Sequence, residues 1–163
     1  MVKLRIIGVD ADIFTGKIDM VLSEFDGEKI RDICSDTVSY DTALKNRFKE
    51  FMQHVSKHQL NREQLLHDRN FITLHWQYIE NMATAVKNMC AKFGRQKSQI
   101  DAIGFTGQKL APYVDLQMGS GQLAANLTGI PVIYDFHSAL TQNGSTDAMF
   151  AGAHYGQDRK SVV

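Results

Sequence analysis

Cysteine, net charge and long apolar runs are what this sequence has least of, and each scarcity excludes a class of protein. Only Cys34 and Cys90 occur, in unrelated contexts and without a C-x-x-C spacing. Neither a disulfide framework nor a structural zinc site is expected, and the thiols suit a reducing cytoplasm. Eighteen Lys plus Arg balance 18 Asp plus Glu, so no field is predicted that would gather nucleic acid or an anionic membrane. Met1–Val9 is too short and too charged for a signal peptide, and no apolar run approaches the roughly 20 residues of a membrane span; a soluble, cytoplasmic protein is expected. Neither H-E-x-x-H nor G-x-S-x-G is present. His54 and His58 stand four apart, as helical metal ligands do, but with His67 and His75 they read as histidines on polar helix faces, and no metal site is assigned. Gly119-Ser120-Gly121 is not a nucleophile elbow, and no catalytic residue is assigned.

What remains fits one domain over residues 1–163, long enough to bury a substantial core. Leu4–Asp10, Lys17–Phe25 and Lys29–Cys34 are β-rich runs separated by the turns Asp12–Gly16 and Asp26–Glu28, which predicts an antiparallel meander. After Tyr40 the apolar period changes from two residues to about 3.6. Leu44, Phe48, Phe51 and Val55 mark one amphipathic helix. A second is predicted from Arg62 to Phe93, with Leu65, Ile72, Ile79 and Val86 spaced by seven. That stripe suits a coiled coil or, more simply, packing on a sheet, where Trp76 and Tyr78 would also be packing residues. Gly94 ends the helix, and Arg95–Ser98 leads to a strand at Ile100–Phe105.

The stretch 101–137 is the densest in signals. Glycines bracket polar side chains in Gly104-Phe105-Thr106-Gly107-Gln108 and recur at Leu116-Gln117-Met118-Gly119, a pattern that lets backbone approach a ligand closely. Ser120 stands at an N-cap position before a short helix closed by Gly129 and Pro131. Val132–Asp135 is the next strand. The fold expected is α/β: a mixed five-stranded sheet, three antiparallel strands first, covered by two long helices and the short one at Ser120–Thr128.

At these residues the chain resembles the anhydro-N-acetylmuramic acid kinases, whose pattern runs roughly I-D-x-I-G-S-H-G-Q-T, then T-L-Q-I-G-D-P, then T-G-I-x-V-V-x-D-F-R. Ile100-Asp101, Ile103-Gly104, Gly107-Gln108, Leu116-Gln117, Gly119, Thr128-Gly129-Ile130, Val132 and Asp135-Phe136 follow it in order. Phe105-Thr106 replaces Ser-His, Lys109 replaces Thr, Ser120 replaces the acid and His137 replaces Arg. The opening meander is similarly that of the actin and hexokinase superfamily of ATPases, a ribonuclease H-like lobe. There the first turn touches phosphate, and an acid ending the first strand positions magnesium through water.

The resemblance implies ATP and Mg2+ as cofactors and an anhydro-sugar as ligand. Gly107, Gln108, Gln117, Gly119, Asp135 and His137 would face the sugar, with Asp10, Thr15 and Gly16 on the phosphate side. On its own, Asp10-Ala11-Asp12 reads equally as a solvated turn. The family's G-T-S-x-D-G turn is here Asp12-Ile13-Phe14-Thr15-Gly16-Lys17, where Ile13 and Phe14 are expected to obstruct a phosphate. Family members have a second lobe, with an F-D-x-G-P-G-N segment whose aspartate activates water; these 163 residues contain no such segment. The chain therefore resembles the amino-terminal lobe of such a kinase, inactive alone, whose partners would be a second-lobe polypeptide or a homodimer seated around Phe136, Leu140, Met149 and Phe150. The alternative is a non-catalytic scaffold that uses the exposed inter-lobe face.

Overall fold

The computed structural model describes residues 2–134. In chain order they form β1 (Leu4–Asp12), β2 (Lys17–Phe25), β3 (Ile30–Ser39), α1 (Thr42–His58), α2 (Arg62–Leu66), α3 (Arg69–Lys92), β4 (Ala102–Phe105), β5 (Gln108–Lys109), β6 (Gln117–Met118), α4 (Gly121–Thr128) and β7 (Val132–Ile133). Five strands make one sheet in the order β3-β2-β1-β4-β7. The first three are antiparallel, while β4 runs parallel to β1 and β7 parallel to β4. That mixed five-stranded sheet, three antiparallel strands first, is the one expected.

Strict alternation gives the sheet two unlike faces. Ile7, Val9 and Ala11 of β1, Ile18, Met20 and Leu22 of β2, and Ile103 and Phe105 of β4 are buried. Phe48, Met52 and Val55 of α1 and Tyr78, Met82 and Val86 of α3 join the same core. Tyr78 lies under the end of β1, its hydroxyl donating to the Ala11 carbonyl oxygen at 2.7 Å. The other face carries Gly8, Asp10, Asp19, Val21, Ser35, Thr37 and Gly104 along an open groove of about 650 Å³.

Local chemistry corrects several expected boundaries. The helix expected from Arg62 to Phe93 is two helices, because Asp68 caps a new start: its carboxylate accepts the Phe71 N–H at 3.0 Å. Asn61 and Gln64 close a reciprocal capping box on the short first piece. Leu65, Ile79 and Val86 of the expected stripe are nonetheless fully buried. Only Ile72, in the first turn of α3, departs from it at 47% exposed, and Phe71, Leu74, Tyr78 and Met82 broaden the inner face. Trp76, expected to pack, is likewise 47% exposed.

The first strand runs on to Asp12 and the third to Ser39, since β2 offers a ladder along its whole length, Asp12 pairing with Lys17 and Lys17 with Ser39. The polar residues of β3 suit an edge strand. The fourth strand begins at Ala102 rather than Ile100. Ser120 caps α4 through the Leu123 N–H at 3.2 Å, and Gly129 ends it at φ 70°. No helix among the described residues is long and apolar enough to cross a membrane.

Candidate functional site

The carboxyl end of β1 leads into the turn that the meander predicts, and the turn is closed on itself. The Asp12 side chain accepts the Phe14 and Thr15 N–H groups at 2.9 and 3.4 Å, and its carbonyl oxygen accepts Gly16 N–H at 2.8 Å. Gly16 has φ 78°, and a Cβ there would stand 2.9 Å from the Lys45 side chain. The positive φ is what calls for glycine, since the end of the Lys45 side chain can move aside. Lys45 reaches over the turn from α1, its ammonium 3.3 Å from the Thr15 carbonyl oxygen. The two bulky turn residues part company: Ile13 is buried in the core, which corrects the expectation that it obstructs the turn. Phe14 stays at the surface, edge-on to Phe48 and stacked on Tyr113 at 6.1 Å between centroids.

Beside the turn lies a feature the sequence did not announce, a two-stranded antiparallel ribbon of β5 and β6. It brings Gly107, Gln108, Gln117 and Gly119 together. Gly107 has φ 76° and Gly119 φ 143°; a Cβ on Gly107 would meet the Met118 carbonyl oxygen at 2.5 Å, and one on Gly119 would meet Gly107 Cα at 2.9 Å. The two glycines allow the strands to close. The Gln108 side chain then ties the ribbon to the turn, its Oε1 accepting Ile13 N–H at 2.9 Å. Its Nε2 donates to the Lys109 carbonyl oxygen at 3.3 Å, so both ends of this amide serve the protein itself. Gln117 Nε2 donates to the Thr106 carbonyl oxygen, and Gln117 Oε1 has no partner among the described residues. Asp135 and His137 lie outside the described residues.

Asp10 looks onto the open groove, apart from the ribbon. Partial burial first, then the carboxylates of Asp12 and Asp19, raise its carboxyl above the usual range. Asp19 is its cross-strand partner and binds the Thr37 hydroxyl at 2.6 Å. Two carboxylates in that position could reach a hydrated cation through water; among the described residues no three groups converge as metal ligands do. Asp19, absent from the sequence-based candidates, could have been found by counting residues back across the hairpin from Asp12 and Lys17.

His75, expected on a polar helix face, is instead half-buried against the ribbon. From α3 its Nε2 accepts the Gly119 N–H at 3.1 Å, which requires the neutral ring. Burial lowers its pKa from the ordinary value near 6.5. The unfolded chain then binds this proton at higher pH than the folded one, so stability falls as pH drops below about 6.5. Between pH 7.5 and 5 the unfolding free energy of the wild type, read from urea titration, should decline by roughly 1 kcal/mol for the lost bond. In His75→Gln, which keeps an acceptor and cannot titrate, that part of the decline should vanish; an equal slope in both proteins would refute the assignment.

The family model "Anhydro-N-acetylmuramic acid kinase" matches residues 4–154. A Brucella suis anhydro-N-acetylmuramic acid kinase is 30% identical over 160 residues, covering 93% of this chain and 41% of the relative. A Legionella pneumophila protein of the same name is 34% identical over 82 residues, covering 46% and 22%. The chain thus spans about two fifths of the Brucella relative. Among solved structures, the Aquifex aeolicus member of the Ppx/GppA family aligns with TM-score 0.36 and 11% identity, covering 82% of this chain and 35% of that one. With a family match running from the first strand through the turn, the glycine ribbon and beyond, the chain belongs to the anhydro-N-acetylmuramic acid kinase family.

Proposed function

We propose that this chain is a single domain equivalent to the amino-terminal lobe of an anhydro-N-acetylmuramic acid kinase-like protein, and that it supplies the sugar-side wall of a cleft completed by a second lobe. The observation that carries the reading is the glycine-closed ribbon, which leaves Gln117 Oε1 without a partner among the described residues while Gln108 fixes ribbon and turn together. Few but well-placed polar groups are what orient a sugar.

The family name implies ATP with magnesium. The turn does not suit it in this arrangement. A phosphate held at such a turn needs free backbone N–H groups. Here the Ile13 N–H is given to Gln108, those of Phe14, Thr15 and Gly16 are given to Asp12, and the Asp12 carboxylate stands where a phosphate would have to approach. No phosphoryl step is therefore assigned to Thr15 or Gly16. The same committed turn favours the second reading, a non-catalytic scaffold whose partner is a second-lobe polypeptide or another copy of the chain.

Titration followed by ¹H–¹⁵N NMR separates the two. The kinase-lobe reading expects anhydro-N-acetylmuramic acid to shift the Gln108, Gln117 and Gly119 amides saturably, with millimolar affinity because half a cleft excludes water poorly. Gln117→Ala should weaken that response. No saturable shift by about 10 mM, equivalent to an affinity below roughly 3 kcal/mol, would leave the scaffold reading, to which a mass above that of a monomer in light scattering would then point.

A further inference from the structure

At the opposite end of the sheet from the turn, a second hollow of about 430 Å³ lies where α3 ends, the chain turns toward β4, and α4 ends before β7. Its polar rim is all of one sign: Lys87, Arg95 and Lys97 line it, and no acid does. In a chain of zero formal charge this is a local concentration. None of the three cations has a salt bridge or side-chain hydrogen bond to any described residue, and the Arg95 Nε is buried without a partner.

A buried guanidinium nitrogen without an acceptor is costly, so such an atom points to an acceptor that the described residues do not supply. Lys97 contributes next. Its ammonium stands 3.1 Å from where a Cβ on Gly129 would lie, so the left-handed glycine that ends α4 also leaves space for the cation. There the ammonium offsets the negative end of the α4 dipole, which would otherwise oppose an anion. Asn126 has its Oδ1 taken by Gln122, which leaves its amide N–H groups to donate. Val86, Leu127 and Ile130 add apolar wall.

We propose that this hollow binds the phosphate group of a small molecule, with Arg95 and Lys97 as the principal donors. Guanidinium and ammonium together match a phosphate's dispersed charge and several acceptor oxygens. The volume suits a small ligand, and the apolar wall would favour an organic phosphate over the inorganic ion. Its place at the amino-terminal ends of β4 and β7 separates it from the proposed sugar wall, so it does not depend on the kinase reading.

The test is an NMR titration of the 163-residue chain at constant ionic strength, with inorganic pyrophosphate in one arm and adenosine monophosphate in the other. Saturable shifts of the Arg95, Lys97 and Gly129 amides are expected, with affinity about tenfold weaker in Arg95→Gln and in Lys97→Gln, the loss of one charged hydrogen bond. Lys57→Gln, at an exposed position of α1, should change nothing. Tighter binding of the monophosphate would identify an organic ligand, and equal binding the phosphate alone. The proposal fails if neither probe gives saturable shifts there up to 10 mM, or if the shifts persist unchanged in both folded variants.

Discussion

Incubated with ATP, magnesium and anhydro-N-acetylmuramic acid, the purified 163-residue chain should release no ADP above background. Two shortfalls act together. General-base catalysis contributes about 10²–10⁴-fold, and requires a group within hydrogen-bond reach of the proton it removes. The F-D-x-G-P-G-N segment that carries the family's base is not among these residues. Removing a single donor that stabilises developing charge typically costs a further 10²–10³-fold, and here the four turn N–H groups from Ile13 to Gly16 are already spent on Gln108 and Asp12. Phosphoryl transfer relies on positioning and electrostatics more than on covalent chemistry, so a lobe without a phosphate cradle loses most of what drives it. ADP release proportional to chain concentration, measured with a coupled assay and abolished when the sugar is omitted, would overturn this account.

What the sequence made legible follows from how strongly one local signal dominated. The meander was readable because alternating apolar residues in β1 and β2 bury one face only, and α1 and α4 because Leu44, Phe48 and Val55, and Ser120 with Gly129, mark face and ends. Ile72 misled: it shares its seven-residue spacing with the buried Leu65, Ile79 and Val86, but it stands in the first turn of the helix that Asp68 caps, where it faces outward. The ribbon of β5 and β6 was invisible because each strand has only two residues, too few for a period. At the site, the glycines were found from their pattern, yet the role of Gln108 was not, since a side chain that looks like a ligand donor in sequence is bonded to the Ile13 amide. His75 is the extreme case: its contact with Gly119 joins residues 44 apart, and only the packing of α3 against the ribbon creates it.

Substituting Gly107 by alanine should be among the most damaging single methyl additions in the chain, and Gly27 supplies the comparison that isolates why. Both glycines have positive φ, 76° and 100° respectively, so alanine at either position carries a backbone penalty of about 1–2 kcal/mol. Around Gly27 a new Cβ would meet nothing within 4 Å, and the conformational penalty is the whole effect. At Gly107 the Cβ would lie 2.5 Å from the Met118 carbonyl oxygen, a backbone atom that cannot swing aside. Relief requires the β5 and β6 strands to separate, which gives up their pairing and uncouples Gly119 from His75 and Gln108 from Ile13. At about 1 kcal/mol for each hydrogen bond lost, Gly107→Ala should cost roughly 2–3 kcal/mol more than Gly27→Ala in urea unfolding. Because the ribbon is also the proposed sugar wall, the saturable shifts at Gln117 and Gly119 should disappear in Gly107→Ala and survive in Gly27→Ala. Equal unfolding midpoints for the two variants would show that the ribbon yields without cost and that Gly107 is not what holds the wall in place.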